Sequence, residues 1–173
     1  MTPAERQAMR ESIRQALGTA VLPAGSPEHP GVYRADPATA PADLLDRFTR
    51  ELEALGGFVH HAPSTNAVVD IITGLADREG GRRLLAWDDA ELPVPGLRES
   101  LEAAGCQVTR QQPRQAQDST ARAVWADATV GVTSATACLA QTGSLVVISG
   151  PGRGRLVSLL TPIHVALVTR DLL

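Results

Sequence analysis

Apolar and polar positions along this chain alternate between two rhythms. A first stretch carries Met9, Ile13, Ala16 and Leu17 at helical spacing. It opens on Thr2-Pro3-Ala4-Glu5, which has the Thr-x-x-Glu form of a capping box with proline at the first helical position, and Gly18 is its stop. Leu44, Leu45, Phe48, Leu52 and Leu55 trace a stronger amphipathic helix closed by Gly56. Another helix, capped by Ser64 or Thr65, carries Val68, Val69, Ile71, Ile72 and Leu75. A fourth runs over 96–104 with Leu97 and Leu101 inward, ended by Gly105. Between and after them, short apolar runs read as strands at 58–60, 84–87, 106–109, 129–132, 145–148 and 165–168. A short helix is expected around 135–140 and a helical turn over 155–160.

Strands alternating with helices imply βαβ units and a mostly parallel sheet flanked by helices. Runs such as Leu145-Val146-Val147-Ile148 are apolar at every position, the mark of a sheet covered on both faces. Ligands of such sheets bind outside the carboxyl ends of the strands, so the loops after Leu85, Val132 and Ile148 are the first places to look. Residues 19–41 break the rhythm with five prolines and two glycines. They read as an irregular connector with a short extended piece at Val32-Tyr33, long enough to give the first helix reach as an N-terminal arm. The expected organisation is an arm and connector over 1–40 and an α/β domain over 41–173.

Composition narrows the function classes. The 173 residues suit one core, and a net charge of −3 argues against a nucleic-acid protein held by a broad basic field. No apolar run is long enough to span a membrane, and the N-terminus has no signal-peptide h-region, so a cytoplasmic protein is expected. Cys106 and Cys138, the only two cysteines, cannot supply the four thiolates of an ordinary iron–sulfur cluster and read as buried small hydrophobes. Lysine is absent, and every basic residue apart from the histidines is arginine. That suits either anion recognition by bidentate forks or an arginine-biased composition.

Three blocks carry candidate chemistry. The first, with Gly131, Thr133 and Ser134, is a strand end running into the expected helix, where hydroxyls and free N–H groups would suit a carboxylate or phosphate; plain capping is the alternative. The second is Gln141-Thr142-Gly143-Ser144, where glycine would let backbone approach a ligand, or would simply cap a helix. The third is Gly150-Pro151-Gly152-Arg153-Gly154-Arg155, an anion cradle or a solvated loop, with neither Walker nor Rossmann spacing. His164 is the best single acid–base candidate, against the alternative of a strand-edge histidine. His60-His61 would point to opposite strand faces and could not chelate one metal, and no zinc spacing exists. Asp88-Asp89, after a strand, could hold ribose hydroxyls or magnesium, or form a solvated turn.

These blocks resemble the LUD-domain family of the LutC/YkgG lactate-utilisation type. Ala126-Asp127-Ala128-Thr129-Val130-Gly131-Val132-Thr133-Ser134-Ala135, then Ala140-Gln141-Thr142-Gly143-Ser144-Leu145, then Arg155, Ser158-Leu159-Leu160, Pro162 and His164 agree with the family in order and spacing. The first helix, around Ile13-Arg14-Gln15-Ala16-Leu17-Gly18, is similar to the family's own. The resemblance implies a fold like that of sugar-phosphate isomerases and CoA transferases. It also implies a role beside iron–sulfur and oxidoreductase proteins in oxidising L-lactate to pyruvate. It picks Arg155 over Arg153. Two positions depart from it: Gln141 stands where the family usually has glutamate, and Thr136 where it often has aspartate. A glutamine cannot serve as general base or carboxylate nucleophile. The expected function is an accessory subunit that binds a carboxylate, phosphate or anionic cofactor not identified by the sequence. A stand-alone isomerase- or transferase-like enzyme, or a ligand-free interaction module using the first helix, are the rivals.

Overall fold

The computed structural model describes residues 3–19, 41–111 and 118–173. The chain falls into two units, Met1–Ala38 and Thr39–Leu173. In the first unit, α1 (Pro3–Thr19) is a helix whose Met9 and Ile13 are exposed. The capping residue Thr2 and the connector with Val32-Tyr33 lie outside the described residues.

The second unit is an α/β layer structure. Its helices are α2 (Pro41–Ala54), α3 (Thr65–Arg78), α4 (Leu97–Ala103), α5 (Ser119–Ala126) and α6 (Leu156–Leu159). Its central sheet holds β1 (Arg83–Ala86), β2 (Gln107–Arg110), β3 (Val130–Ser134) and β6 (Ile163–Leu167) in the order β2-β1-β3-β6, every pair parallel. The strand period of two divides the core. Leu84, Ala86, Val130 and Val132 face α3 and α4, packing against Val69, Ile72, Leu97 and Leu101. Leu85 and Trp87 face the other way, onto Trp125 of α5 and Val157 of α6. Both faces are covered, which is why the central strands β1 and β3 are buried at successive positions.

Local signals set several boundaries. Ser64 caps α3, its hydroxyl accepting from the Ala67 N–H at 3.3 Å. Gly105 takes a left-handed φ of 83° after α4. Elsewhere the structure corrects the sequence reading. The helix expected over 135–140 is a strand, β4 (Ala137–Leu139), paired antiparallel with β5 (Ser144–Val146) in a separate two-stranded sheet. The run 145–148 therefore contributes to this hairpin and not to the parallel sheet. Cys138 and Ala140 of the hairpin pack on Phe48 of α2, and tertiary burial overrides the helical reading of a short apolar run. Residues 58–60 form no strand, and Phe58 is 81% exposed. The sequence reading missed α5 altogether, although Asp118 caps it by accepting from the Thr120 N–H at 2.8 Å.

Strand order places a topological switch between β1 and β3, because the chain leaves β1 for β2 and returns on the other side of β1. A crevice at the carboxyl ends of β1 and β3 is where a sheet of this kind binds ligands.

Candidate functional site

At the end of β1, Trp87 donates its backbone N–H to Val132 at 3.1 Å and its indole Nε1–H to the Gly154 carbonyl at 3.1 Å. The Asp88 N–H donates to the Gly152 carbonyl at 2.9 Å. Gln111, just past β2, accepts from the Leu156 N–H at 3.1 Å. These bonds fasten the glycine-rich segment to the sheet. Its first half is a tight turn: Gly150 and Arg153 exchange backbone hydrogen bonds, with Pro151 between them and Gly152 at φ 70°. Proline then glycine in the two central positions is what a type II turn requires. The turn thus consumes the Gly150 and Arg153 N–H groups internally.

The two arginines separate. Arg153 Nε lies 3.5 Å from the Glu91 carboxylate. Arg155 is exposed and has no ion-pair partner among the described residues. It lines a cleft of about 450 Å³ together with Trp87, Ile148, Ser149, Ser158 and Leu159. Asp88 and Asp89 are engaged by arginines: Asp89 lies 3.0 Å from Arg98 and 3.9 Å from Arg110, and Asp88 4.0 Å from Arg110.

Thr133 and His164 meet. The parallel register sets His164 beside Gly131, and its ring reaches along the strands until Nε2 is 2.8 Å from the Thr133 hydroxyl. Thr133 is fully buried, so it can orient the ring but cannot attack a substrate. His164 is exposed as a residue, yet enough of its ring is packed that burial lowers its pKa below the ordinary 6.5. Below pH 6.5 the unfolded chain takes up a proton that the folded chain resists. Stability should therefore fall as the pH drops from 6.5 through the lowered folded-state value, then level off; above 6.5 this group adds no slope. His164→Gln should flatten that part of the profile in urea midpoints taken from about pH 8 to about pH 5.

The remaining expected residues all make contacts within the chain. A Cβ on Gly131 would strike the Val157 carbonyl of α6. One on Gly143, at φ 60°, would come 2.7 Å from Leu52 Cα of α2. Both glycines thus admit the backbone of a neighbouring helix. Thr142 donates its hydroxyl to Ser144 Oγ at 2.9 Å across the hairpin turn that also holds the half-buried Gln141. Ser134 ends β3, and its hydroxyl donates to the Ala135 carbonyl at 3.3 Å. No helix begins there, so the helix-start argument for an anion at Thr133-Ser134 has no helix beneath it. The Thr136 N–H is taken by Val146 at 2.7 Å.

His164 lines a different cleft, of about 690 Å³, along the outer edge of β6. The single pocket expected between Thr133 and His164 is thus two clefts, one holding Arg155 and one holding His164. Trp87 and Ser149 line the Arg155 cleft although no sequence motif marks them as site residues. The position of Trp87, first after a strand at the switch point, is the signal that could have found it.

The family model for the LUD domain matches residues 45–173. The chain belongs to the LUD domain family. The match reaches far upstream of the motif blocks, into α2, so the family covers the whole α/β layer and both clefts. No curated protein and no solved structure matches the chain. The LUD domain family is associated with lactate utilisation. Among the described residues of this LUD domain, no helix is long and apolar enough to cross a membrane, and no three His, Cys, Asp or Glu side chains gather as a metal site.

Proposed function

We propose that this LUD domain is a cytoplasmic accessory subunit of the LutC type in L-lactate oxidation. It binds a small carboxylate, phosphate or anionic cofactor and associates with iron–sulfur or oxidoreductase proteins. The observation that carries the ligand half is Arg155, a guanidinium without an ion-pair partner among the described residues. It stands in a cleft lined also by Ser149, Ser158 and Trp87. A guanidinium presents paired N–H donors that match a carboxylate or phosphate, and the Ser149 hydroxyl adds a donor, while that of Ser158 donates to the Arg155 carbonyl at 3.2 Å. The cleft sits by the carboxyl end of β1, where sheets of this order take ligands. The family's association with lactate utilisation supports the partner half.

Thermal unfolding against lactate, pyruvate, sugar phosphates, CoA and nicotinamide nucleotides tests the ligand. A ligand bound only by the folded state adds about 2.7 kcal/mol at a hundred times its Kd. A rise in Tm with one of these anions is expected, and Arg155→Ala should remove it. Co-purification with iron–sulfur partners tests the rest. No shift with any anion, together with no such association, would reject the proposal.

The Thr133–His164 hydrogen bond favours a second reading, a stand-alone enzyme with His164 as its acid or base. That reading requires His164→Ala to abolish turnover of a substrate whose binding Arg155→Ala weakens. Gln141, in place of the family's glutamate, leaves it without a second acid–base group in the hairpin turn.

A further inference from the structure

We infer that the cleft along β6 is a separate site for an uncharged, largely apolar small molecule bearing one carbonyl or hydroxyl group. Among the described residues the central sheet ends at β6, which pairs there only with β3. Beside that edge, side chains of α2, α3, β6 and the segment around Phe58 line about 690 Å³. That volume lies within the roughly 300–1,000 Å³ of small-molecule sites.

The lining decides the ligand's chemistry. One residue in five of this chain is charged, yet no Arg, Asp or Glu lines the cleft among the described residues. Among the described residues its polar side chains are His60, His164 and Thr169; Phe48, Leu75 and Val165 typify the rest. An anion or cation would lose its hydration there with no opposite charge to replace it. This separates the site from the Arg155 cleft, on which the inference does not depend.

His164 supplies the orienting contact. Its Nε2 is held by the buried Thr133 hydroxyl, and Nδ1 has no hydrogen bond among the described residues. A ring fixed at one nitrogen offers the other in a set direction, as donor or acceptor according to the tautomer. A carbonyl answers the donor case, and a hydroxyl answers either. Exposed Phe58 and Val168 complete the apolar lining.

The test uses the full chain and Nile red, a neutral apolar dye with a carbonyl, with anilinonaphthalene sulfonate as its anionic counterpart. Fluorescence titration should show one saturable site for the neutral dye. Phe58→Asp and Val168→Asp change exposed positions and should leave the melting curve in place. Each should weaken Nile red binding by about tenfold or more, since the new carboxylate must be desolvated by the dye. Arg155→Ala should leave it unaltered. The inference is overturned if both variants bind the dye as the parent does, or if the anionic dye fills the site equally well. It is also overturned if light scattering shows a dimer that Phe58→Asp dissociates, because the cleft is then an interface between two copies.

Discussion

Gly131→Ala is expected to destabilise the protein by about 3 kcal/mol, a large loss for one methyl group. The methyl would occupy the position of the Val157 carbonyl oxygen, with the Thr161 hydroxyl 2.6 Å away on the same side. A flexible side chain could step aside, but the Val157 carbonyl is backbone of α6. The helix must lift from the sheet, and interiors packed near crystal density have no spare volume to absorb that. Arg155 and Ser158 flank Val157, so the damage reaches function: the anion-dependent rise in Tm should disappear with the lost stability. Urea denaturation measures the first effect and the ligand panel the second. Gly74→Ala is the control, because a Cβ there meets nothing within 4 Å inside α3. It should leave stability unchanged or raise it by roughly 0.5–1 kcal/mol, the helix-interior advantage of alanine over glycine. A parent-like midpoint for Gly131→Ala would mean that α6 does not sit on β3 as described.

Trp125→Ala is expected to cost about 3–5 kcal/mol, the range for emptying an aromatic core position. Trp125 is 1% exposed and is the largest fully buried side chain among the described residues. It fills the space between α5 and Leu85 of β1, packed with Trp87, Ala128 and Val157 of α6. Two of these neighbours lead to the Arg155 cleft: Trp87 lines it, and Val157 sits in α6 between Arg155 and Ser158. The substitution should therefore weaken anion binding without touching the ligand. Trp125→Phe, which keeps an aromatic ring, should recover most of both. The alanine and Gly131→Ala losses should fail to add in the double variant, since both act through Val157. Simple additivity in chemical denaturation would show two independent sites and remove the coupling.

Gly131 and Trp125 also show how unevenly the sequence exposes its own logic. The motif around Gly131 is plain in the sequence, but not which neighbour needs the missing side chain. Trp125 carries the start signal of Asp118 and the helical spacing of Ala121, yet α5 is eight residues long, with only a short apolar stripe to read. The strand at β6 was legible two residues late, because its start is set by partners: the Ile163 N–H donates to Thr129 at 3.3 Å, in register with Val130.

What the sequence determined by itself is the set of properties that depend on neighbours three or four positions away. These are the amphipathic stripes of α2 to α4, the Ser64 cap, the glycine stop at Gly105, the apolar runs that require a doubly covered parallel sheet, and the ordered blocks that mark the family. Tertiary structure alone decided the rest. It turned 137–139 into a strand, because a three-residue apolar run takes whichever form its partner offers, and β5 offered a ladder. It committed Gly131 and Gly143 to helix approach, since the neighbour that needs the space lies on a distant segment. And it parted Arg155 from His164, nine positions apart in sequence, because a helix and a strand edge intervene and each side chain opens on a different cleft.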